Sequence, residues 1–335
     1  MNVEMILQRS FVRESSVALV AVQVPSVVVT PRHREISWSD DWKHCTAFEV
    51  SLNMIIVGWN DGQIKIYNHR NLKCQTVLNY GGGEVTCLQC TGMEIIAGYE
   101  DGIICLWNIQ RRVVVQKLSV AIGTCGRHFP TCMRWSDGKL VAGTLDGRIH
   151  VWQYFNSSFT LLDCWYAGEG HIQDVGVNDS YVILQPWGIP EPVHVHNFNG
   201  QRFRTISTRV GILQMAVHAS HLITNDRNGA LQIWDIWTGN CLKELHRNGI
   251  YLFGFDAEDG MVVSGNRRGS YAIWSVQAAL EGSLTSLPSF SHCRTQCIPF
   301  DKAFVKEIKL GPQVLVATSH DREHKRKIFV TDFLY

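Results

Sequence analysis

The sequence predicts an all-β chain built from seven similar four-stranded units. Three observations lead to this prediction: a hairpin pattern recurs about every 40 residues, each copy closes on an aromatic residue, and short apolar runs flank the copies. Glycine and tryptophan are abundant, at 28 and 11 of 335 residues, against 9 prolines. Many turn glycines together with a repeated tryptophan are typical of repetitive β-proteins.

The repeated hairpin consists of an apolar strand, a glycine, a turn containing Asp-Gly, an alternating strand and a closing aromatic residue. Three copies keep this form and two later copies keep the frame with altered turns; the five span residues 55–67, 95–107, 140–152, 222–234 and 262–274. Asp-Gly between two such runs predicts a tight hairpin, because glycine adopts the positive φ that the turn needs. The turn glycines are Gly62, Gly102, Gly147, Gly229 and Gly269.

The spacing of these glycines predicts the number of units. Successive differences of 40, 45, 82 and 40 residues indicate one degenerate copy between residues 147 and 229, because 82 is two periods. Residues 181–185 and 193–198 fit that copy, and residues 314–318 and 327–333 fit a last one. A further strand precedes each hairpin, as at residues 172–177 and 304–310, and an outer strand follows it. This arrangement predicts a seven-bladed β-propeller.

The last unit of the pattern has only three strands, because the sequence ends at Tyr335 directly after the third. We expect a β-rich piece within residues 16–37 to supply the fourth strand, since pairing the two ends removes the open edges of a linear array. The predicted organisation is therefore an N-terminal segment with a closing strand and linker over residues 1–44, followed by a propeller over residues 45–335.

Charge and cysteine content limit the classes of partner and compartment. Lys and Arg total 31 against 30 Asp and Glu, a net charge of +1, which argues against a nucleic-acid binder that relies on bulk positive charge. Eleven cysteines without a framework of close spacings favour a reducing compartment, the cytoplasm or the nucleus. The apolar run at residues 17–29 is interrupted by Gln23 and Pro25 and is too short to span a membrane, so no membrane association is expected.

The Gly-x-x-Asp-Gly hairpin with its closing tryptophan resembles the WD repeat over nearly the whole chain from residue 45 onward. Trp234-Asp235 is a literal Trp-Asp pair, and the preceding Gly-His survives at Gly170-His171. The polar His–Asp–Trp network that ties a typical WD blade together is therefore expected to be mostly missing, with packing in its place.

Within the WD repeats, the short turns and the segment at residues 237–242 resemble the propellers of F-box/WD proteins, the substrate receptors of cullin-type ubiquitin ligases. The resemblance implies a non-catalytic module that binds other proteins or peptides. An F-box is a leucine-rich helical module that precedes the propeller, and residues 1–44 do not show that pattern. The resemblance then implies a fragment or variant without the part that binds the cullin adaptor.

The Asp-Gly turns and the starts of the innermost strands are predicted to surround one mouth of the central channel. Alignment of the units on their glycines brings five basic residues of units five to seven to this mouth: Arg227, Arg267, Arg268, Lys306 and His320. Arginine binds phosphate or carboxylate oxygens at two points, so this basic sector predicts a site for an acidic or phosphorylated peptide. In F-box/WD proteins, arginines at such positions read phosphorylated degrons. The alternative is that these five are solvated turn residues.

Three large apolar residues are aligned near the same mouth: Trp59, Tyr99 and Leu145. One interpretation is that they are exposed and form the anchors of an interface. The other is that they brace their own turns.

Metal-binding and catalytic patterns are weak. Cys87 and Cys90 point to opposite faces of a strand, and His194 and His196 share a face without a third ligand. The best residual group is His292, Cys293 and Cys297. The chain has no nucleophile elbow, P-loop or zincin motif. We therefore predict no metal, no cofactor and no enzymatic activity; a scaffold subunit of another complex and, more remotely, a propeller enzyme remain the alternatives.

Overall fold

The computed structural model describes residues 32–36, 44–51, 53–120, 128–168, 170–188, 192–208, 210–226, 229–245, 252–258, 260–266, 271–282, 304–310, 314–320 and 326–332. Within these ranges the strands form seven antiparallel sheets, six with four strands and one with three. The prediction of an all-β fold with propeller-like blades is confirmed.

Strand β1 (Arg32–Ile36) comes first, and three sheets follow it, each with its strands paired in chain order. Sheet 1 consists of β2 (Cys45–Ser51), β3 (Met54–Trp59), β4 (Gln63–Asn68) and β5 (Cys74–Asn79). Sheet 2 consists of β6 (Val85–Thr91), β7 (Glu94–Tyr99), β8 (Ile103–Asn108) and β9 (Val113–Ser119). Sheet 3 consists of β10 (Pro130–Ser136), β11 (Lys139–Thr144), β12 (Arg148–Phe155) and β13 (Ser158–Tyr166).

Two further four-stranded sheets have the same order. Sheet 4 consists of β14 (Ile172–Val177), β15 (Val182–Pro186), β16 (Val193–His196) and β17 (Arg202–Ile206). Sheet 5 consists of β18 (Ile212–His218), β19 (His221–Asp226), β20 (Leu231–Asp235) and β21 (Cys241–Leu245). The degenerate copy of the sequence pattern is sheet 4, which pairs its strands like its neighbours despite its altered turn.

The last two sheets differ from the others in their outer strand. Sheet 6 consists of β22 (Leu252–Glu258), β23 (Met261–Asn266) and β24 (Tyr271–Ser275), and helix α1 (Val276–Leu280) follows directly. Sheet 7 consists of β25 (Phe304–Leu310), β26 (Val314–His320) and β27 (Arg326–Asp332). Strand β1 pairs antiparallel with β27, with Arg32 opposite Asp332 and Ile36 opposite Ile328. The predicted pairing of an N-terminal strand with the last unit is therefore present in the strand register.

Every innermost strand has a β-bulge near its start. The residues at the bulges are Thr46, Thr86, Thr131, Gln173, Leu213, Phe253 and Lys306. A bulge leaves one residue unpaired and re-aims its side chain. Its repetition shows that the sheets share local geometry as well as topology.

The first glycine of the hairpins in sheets 1 to 3 allows neighbouring sheets to approach closely. A Cβ atom on Gly58 would lie 2.5 Å from Val85 Cγ1 in sheet 2. A Cβ on Gly98 would lie 2.6 Å from Pro130 Cγ in sheet 3. Both distances are too short for non-bonded carbons, so this glycine is required by packing between sheets, whereas Gly62 is required by the positive φ of its turn (+79°).

The hydrophobic core lies between adjacent sheets. One buried cluster joins sheets 1 and 2 through residues such as Ile56 and Ile95, and others join the following pairs up to sheets 5 and 6. A further cluster contains Ile36 of β1, Ile328 of β27 and Phe48 of sheet 1. The last sheet is thus packed against the first, and β1 takes part in that contact.

Candidate functional site

The innermost strands surround a central cavity of about 330 Å³ that is lined mainly by polar side chains and backbone. At the bulges, hydroxyl and amide groups connect neighbouring sheets. Thr46 Oγ1 donates to the Val85 carbonyl, Thr131 Oγ1 to the Ile172 carbonyl at 2.6 Å, and Gln173 Nε2 to the Leu213 carbonyl at 3.1 Å. These bonds satisfy polar groups inside the channel and hold sheet 1 to sheet 2, sheet 3 to sheet 4, and sheet 4 to sheet 5.

A second set of polar contacts lies farther along the same strands. Glu49 accepts a hydrogen bond from Gln89 Nε2 at 3.1 Å and lies 3.7 Å from Lys309 Nζ. Gln89 Oε1 in turn accepts from the Trp135 amide at 3.2 Å. This channel polar chain, Lys309–Glu49–Gln89–Trp135, connects sheets 7, 1, 2 and 3. Its groups are engaged with one another, which is the arrangement of a structural network.

Possible metal ligands are not gathered into a site in the described part of the chain, where no group of three or more His, Cys, Asp or Glu side chains could hold an ion. His196 Nδ1 lies 3.0 Å from the Gly200 carbonyl, and burial lowers the pKa of both His194 and His196. Burial raises the pKa of Cys87 to about 12, which disfavours the thiolate that binds metals. Residues 292, 293 and 297 lie outside the described residues.

No described helix is long and apolar enough to cross a membrane.

The residues of the predicted basic sector fall largely beyond the described structure. Arg227, Arg267 and Arg268 lie outside the described residues. Lys306 and His320 lie on β25 and β26, where the backbone is described: Lys306 occupies the bulge, and His320 pairs with Phe304. The alignment of Lys306 with the bulge residues of the other sheets is therefore found in the register, while the binding role of the basic sector stays a prediction.

The expectation that Trp59 and Tyr99 are exposed interface anchors is wrong. Their exposed fractions are 1% and 0%, because each ends the second strand of its sheet and its ring packs into an inter-sheet cluster. Lys65 Nζ lies 4.8 Å from the Trp59 ring, and Tyr80 contacts the Tyr99 ring edge-on at 5.1 Å. Both residues brace the structure behind their turns, as the alternative interpretation held.

Part of the WD-type polar network is present, at a position that the sequence pattern did not reveal. His128 Nδ1 lies 2.8 Å from Asp146 Oδ2, and Thr144 Oγ1 donates to Asp146 Oδ1 at 2.6 Å. Although burial raises the pKa of Asp146, the bonds with Thr144 and His128 hold it below its ordinary value. In sheet 5, Trp234 Nε1 donates to Thr224 Oγ1 at 3.0 Å. The sequence pattern did not identify His128, because Arg127 precedes it at the position where the WD repeat has a glycine before its histidine.

The buried imidazole of His150 lies on β12 of sheet 3. His150 is 2% exposed, stacks on Trp152 with a ring-centroid distance of 5.5 Å, and lies 3.7 Å from Cys164 Sγ. Burial lowers the pKa of His150 to about 4, so its side chain is neutral at physiological pH.

An open groove of about 400 Å³ lies on sheets 4 and 5, at the end opposite to the Asp-Gly turns. We call it the Trp237 groove; its lining is Asn178, Asp179, Ser180, Tyr181, Ala219, Ser220, Ile236 and Trp237. Trp237 is 61% exposed. Its ring is supported by Phe203 at 5.1 Å, and Phe203 stacks on Tyr181 at 4.8 Å. The sequence pattern singled out Trp237 only as part of a turn.

A second exposed tryptophan borders a smaller pocket of about 150 Å³ in sheet 4. Trp187 is 64% exposed and stacks on His171 at 5.3 Å. Arg202 and His194 also line this pocket. Trp187 and Trp237 are therefore both exposed to solvent, at opposite ends of sheets 4 and 5.

Two known proteins are similar in sequence to parts of the chain. The chain is 34% identical over 110 residues to a p21-activated protein kinase-interacting protein 1-like protein of Gallus gallus, a match covering 32% of this chain and 28% of the relative. It is 25% identical over 229 residues to a WD repeat-containing protein on Y chromosome of Anopheles gambiae, covering 60% of this chain and 21% of that protein. The chain thus matches less than a third of either relative's length.

One similar solved structure is that of the computationally designed Ika8 protein, with a TM-score of 0.59, 18% identity, and coverage of 85% of this chain and 95% of that one. At this identity the likeness shows the fold alone. No protein-family model matches the chain. The two sequence similarities support a WD-repeat family and a protein-interaction propeller, and neither relative is named as an F-box protein.

Proposed function

We propose that the chain is a non-catalytic propeller that binds other proteins through the turns at its two faces. The observation that carries this proposal is the exposure of two large aromatic side chains, Trp187 and Trp237, on sheets that are cross-linked by buried clusters and hydrogen bonds. Exposed aromatic anchors on a rigid support are typical of protein interfaces. Several polar groups of the channel, including Thr46, Gln173 and Glu49, are engaged in contacts between sheets, which supports binding over chemistry as the role of the fold.

The finer proposal is that the basic sector reads an acidic or phosphorylated peptide. Two observations support it: residues 227 and 267–268 fall between the second and third strands of their sheets, and Lys306 falls at the bulge of its innermost strand. The described strand ends on either side of residues 227 and 267–268 correspond to those that flank the Asp-Gly turns of sheets 1 to 3. Basic residues from three neighbouring sheets can therefore contribute to one mouth.

The test is fluorescence anisotropy with a phosphoserine peptide, its unphosphorylated form and its glutamate form. We expect Arg227→Ala and Arg267→Ala each to weaken phosphopeptide binding about tenfold, the loss typical of a charge-assisted contact. Arg111→Ala is the matched control, since this exposed arginine lies in a turn at the opposite end of the blades. Unchanged affinity in both sector variants, or failure of the wild type to prefer the phosphopeptide, refutes the proposal.

We further propose that this propeller is the substrate-recognition part of an SCF-type ubiquitin ligase. Support comes from the F-box/WD resemblance of the turn at residues 237–242 and from the basic sector. The test is affinity purification of the endogenous full-length protein. Recovery of a cullin adaptor is the expected result, and its absence from a preparation that recovers other stable partners contradicts the ligase role.

A scaffold subunit of another complex is the second candidate, and the propeller wall favours it. The outer strands β9 and β13 expose apolar side chains on neighbouring sheets: Val113 at 48%, Val115 at 47%, Leu161 at 53% and Leu162 at 53%. Neighbouring exposed apolar side chains mark protein interfaces. If this candidate is correct, Val115→Asp and Leu161→Asp should release stable partners during purification, whereas Arg227→Ala should not.

We propose a cytoplasmic or nuclear location. Six cysteines in the described part of the chain carry free thiols: Cys74, Cys87, Cys90, Cys105, Cys132 and Cys164. Free thiols persist in reducing compartments. Imaging of the tagged full-length protein tests the proposal, and a secretory location would contradict it.

A further inference from the structure

The Trp237 groove holds an aromatic residue where the fold does not require one. In sheet 5 the Ile236 amide bonds to the Ser220 carbonyl, as the His69 and Ile109 amides bond to the corresponding turns of sheets 1 and 2. By this equivalence Trp237 occupies the position of Arg70 and Gln110, which are exposed and polar. A polar residue occupies this turn position in sheets 1 and 2. The turn itself therefore does not require the exposed indole of Trp237.

The groove is also acidic. Asp179 is the charged side chain of its lining, and it is exposed to solvent. A hydrogen bond and like charge from Asp179 raise the pKa of Asp137, while the charge of Lys139 lowers it, so the two carboxyl groups interact with each other. A cation placed beside Asp179 would relieve this repulsion.

The aromatic stack beneath Trp237 already holds one cation. The guanidinium carbon of Arg204 lies 5.4 Å from the centre of the Phe203 ring. The other nearby cation is Lys139, whose ammonium lies 4.8 Å from the Phe198 ring. Aromatic faces attract ammonium and guanidinium groups, and tryptophan does so most strongly. The exposed face of Trp237 next to a carboxylate is therefore suited to a cationic side chain.

We propose that the Trp237 groove binds a protein segment through a lysine or arginine side chain, with the cation over the Trp237 ring and beside the Asp179 carboxylate. Neighbouring apolar residues of the segment would pack on Tyr181 and Ile236. This site lies at the end of the blades opposite to the basic sector and selects the opposite charge. It deepens the protein-binding function proposed above and rests on it through Trp237, but it does not depend on the basic sector.

The experiment uses the whole chain and three labelled peptides of equal length, acetylated and amidated, whose central triplet is Arg-Leu-Arg, Gln-Leu-Gln or Glu-Leu-Glu. Fluorescence anisotropy should show the arginine peptide binding at least about tenfold more tightly than the glutamate peptide, and more weakly as salt is added. Trp237→Ala and Asp179→Asn should each weaken binding of the arginine peptide about fivefold to tenfold. Phe155→Ala is the matched control, because Phe155 is an aromatic residue that is 72% exposed and lies outside the groove, and it should bind as the wild type does.

Trp237→Arg is a second variant that copies the residue of the equivalent turn in sheet 1 and so preserves the fold. It should abolish binding of the arginine peptide by charge repulsion. Thermal unfolding of each variant confirms that it is folded. The proposal is overturned if no peptide binds, if the glutamate or glutamine peptide binds as tightly as the arginine peptide, or if the groove variants bind like the Phe155→Ala control.

Discussion

The Lys309 ammonium lies 3.7 Å from the Glu49 carboxylate, and this contact joins the innermost strand of sheet 7 to that of sheet 1. Both side chains are mostly shielded from solvent, with 13% and 17% of their surface exposed. Because the two residues are 260 positions apart in the sequence, the contact links the two ends of the repeat array. Gln89 bonds to the same carboxylate and extends the link into sheet 2.

Removal of one member of this pair should destabilise the protein through the charge that is left behind. We expect Lys309→Met to lower the free energy of unfolding by about 1–3 kcal/mol. The double variant, Lys309→Met with Glu49→Gln, should recover about 1 kcal/mol of that loss, because the unpaired carboxylate is then removed. Urea unfolding of the two single variants and the double variant measures the coupling. Strictly additive effects would show that the contact contributes nothing to closure.

The closing strand should contribute to global stability through Ile36. This side chain is 8% exposed and lies in the cluster that joins sheets 7 and 1. We expect Ile36→Ala to cost about 2–4 kcal/mol, as deletion of a buried aliphatic side chain does. Val77→Ala is the control, since Val77 is 50% exposed on the outer strand of sheet 1, and its effect should stay within about 0.5 kcal/mol. Equal thermal midpoints for the two variants would contradict a closing role for β1.

Stability should fall in mild acid because of His150. Its pKa is about 4 in the folded chain, owing to burial, and about 6.5 in an unfolded chain. The unfolded state therefore binds the extra proton first, so the stability is present above about pH 6.5 and is lost as the pH falls toward 4.

His150→Phe keeps an aromatic ring against Trp152 and removes the titrating group. Between about pH 7 and pH 4, its free energy of unfolding should fall less than that of the wild type, by on the order of 2 kcal/mol. Urea unfolding across this pH range measures the difference, and parallel curves for the two proteins would rule out His150 as a source of acid sensitivity.

The free thiols should react in an order set by burial. Burial raises the pKa of both Cys87 and Cys105 to about 12, whereas Cys74 is exposed on the outer strand of sheet 1. We expect iodoacetamide to modify Cys74 in the native protein, and Cys87 and Cys105 only after unfolding. Mass spectrometry of timed samples resolves the sites. Early modification of Cys87 would show that the contact between sheets 2 and 3 opens readily.

The repeat period could be read from the sequence because each hairpin is a local structure. Asp-Gly at residues 61–62 and 101–102 requires a positive φ at the glycine whatever surrounds the turn, and β14 and β25 begin and end at the predicted residues. Even the degenerate fourth copy was recognisable, since its strands keep the spacing of its neighbours.

The solvent exposure of individual side chains could not be predicted from the sequence in the same way. Trp59, expected at the surface, is buried by residues of the last sheet, and Trp237, noted only for its turn, is exposed beside Tyr181 of the preceding sheet. In each case the atoms that decide exposure belong to another unit. The His128–Asp146 contact likewise depends on a loop whose sequence departs from the repeat.

The sequence by itself determined the all-β class and the repeated hairpin, because turns and strand periodicity act over a few residues. Only the tertiary structure decided which side chains face solvent, how Glu49 meets Lys309, and where an acidic aromatic groove opens between sheets 4 and 5. These features arise from surfaces that come together only after each sheet has formed. Their energies depend on partners that lie tens to hundreds of residues away in the chain.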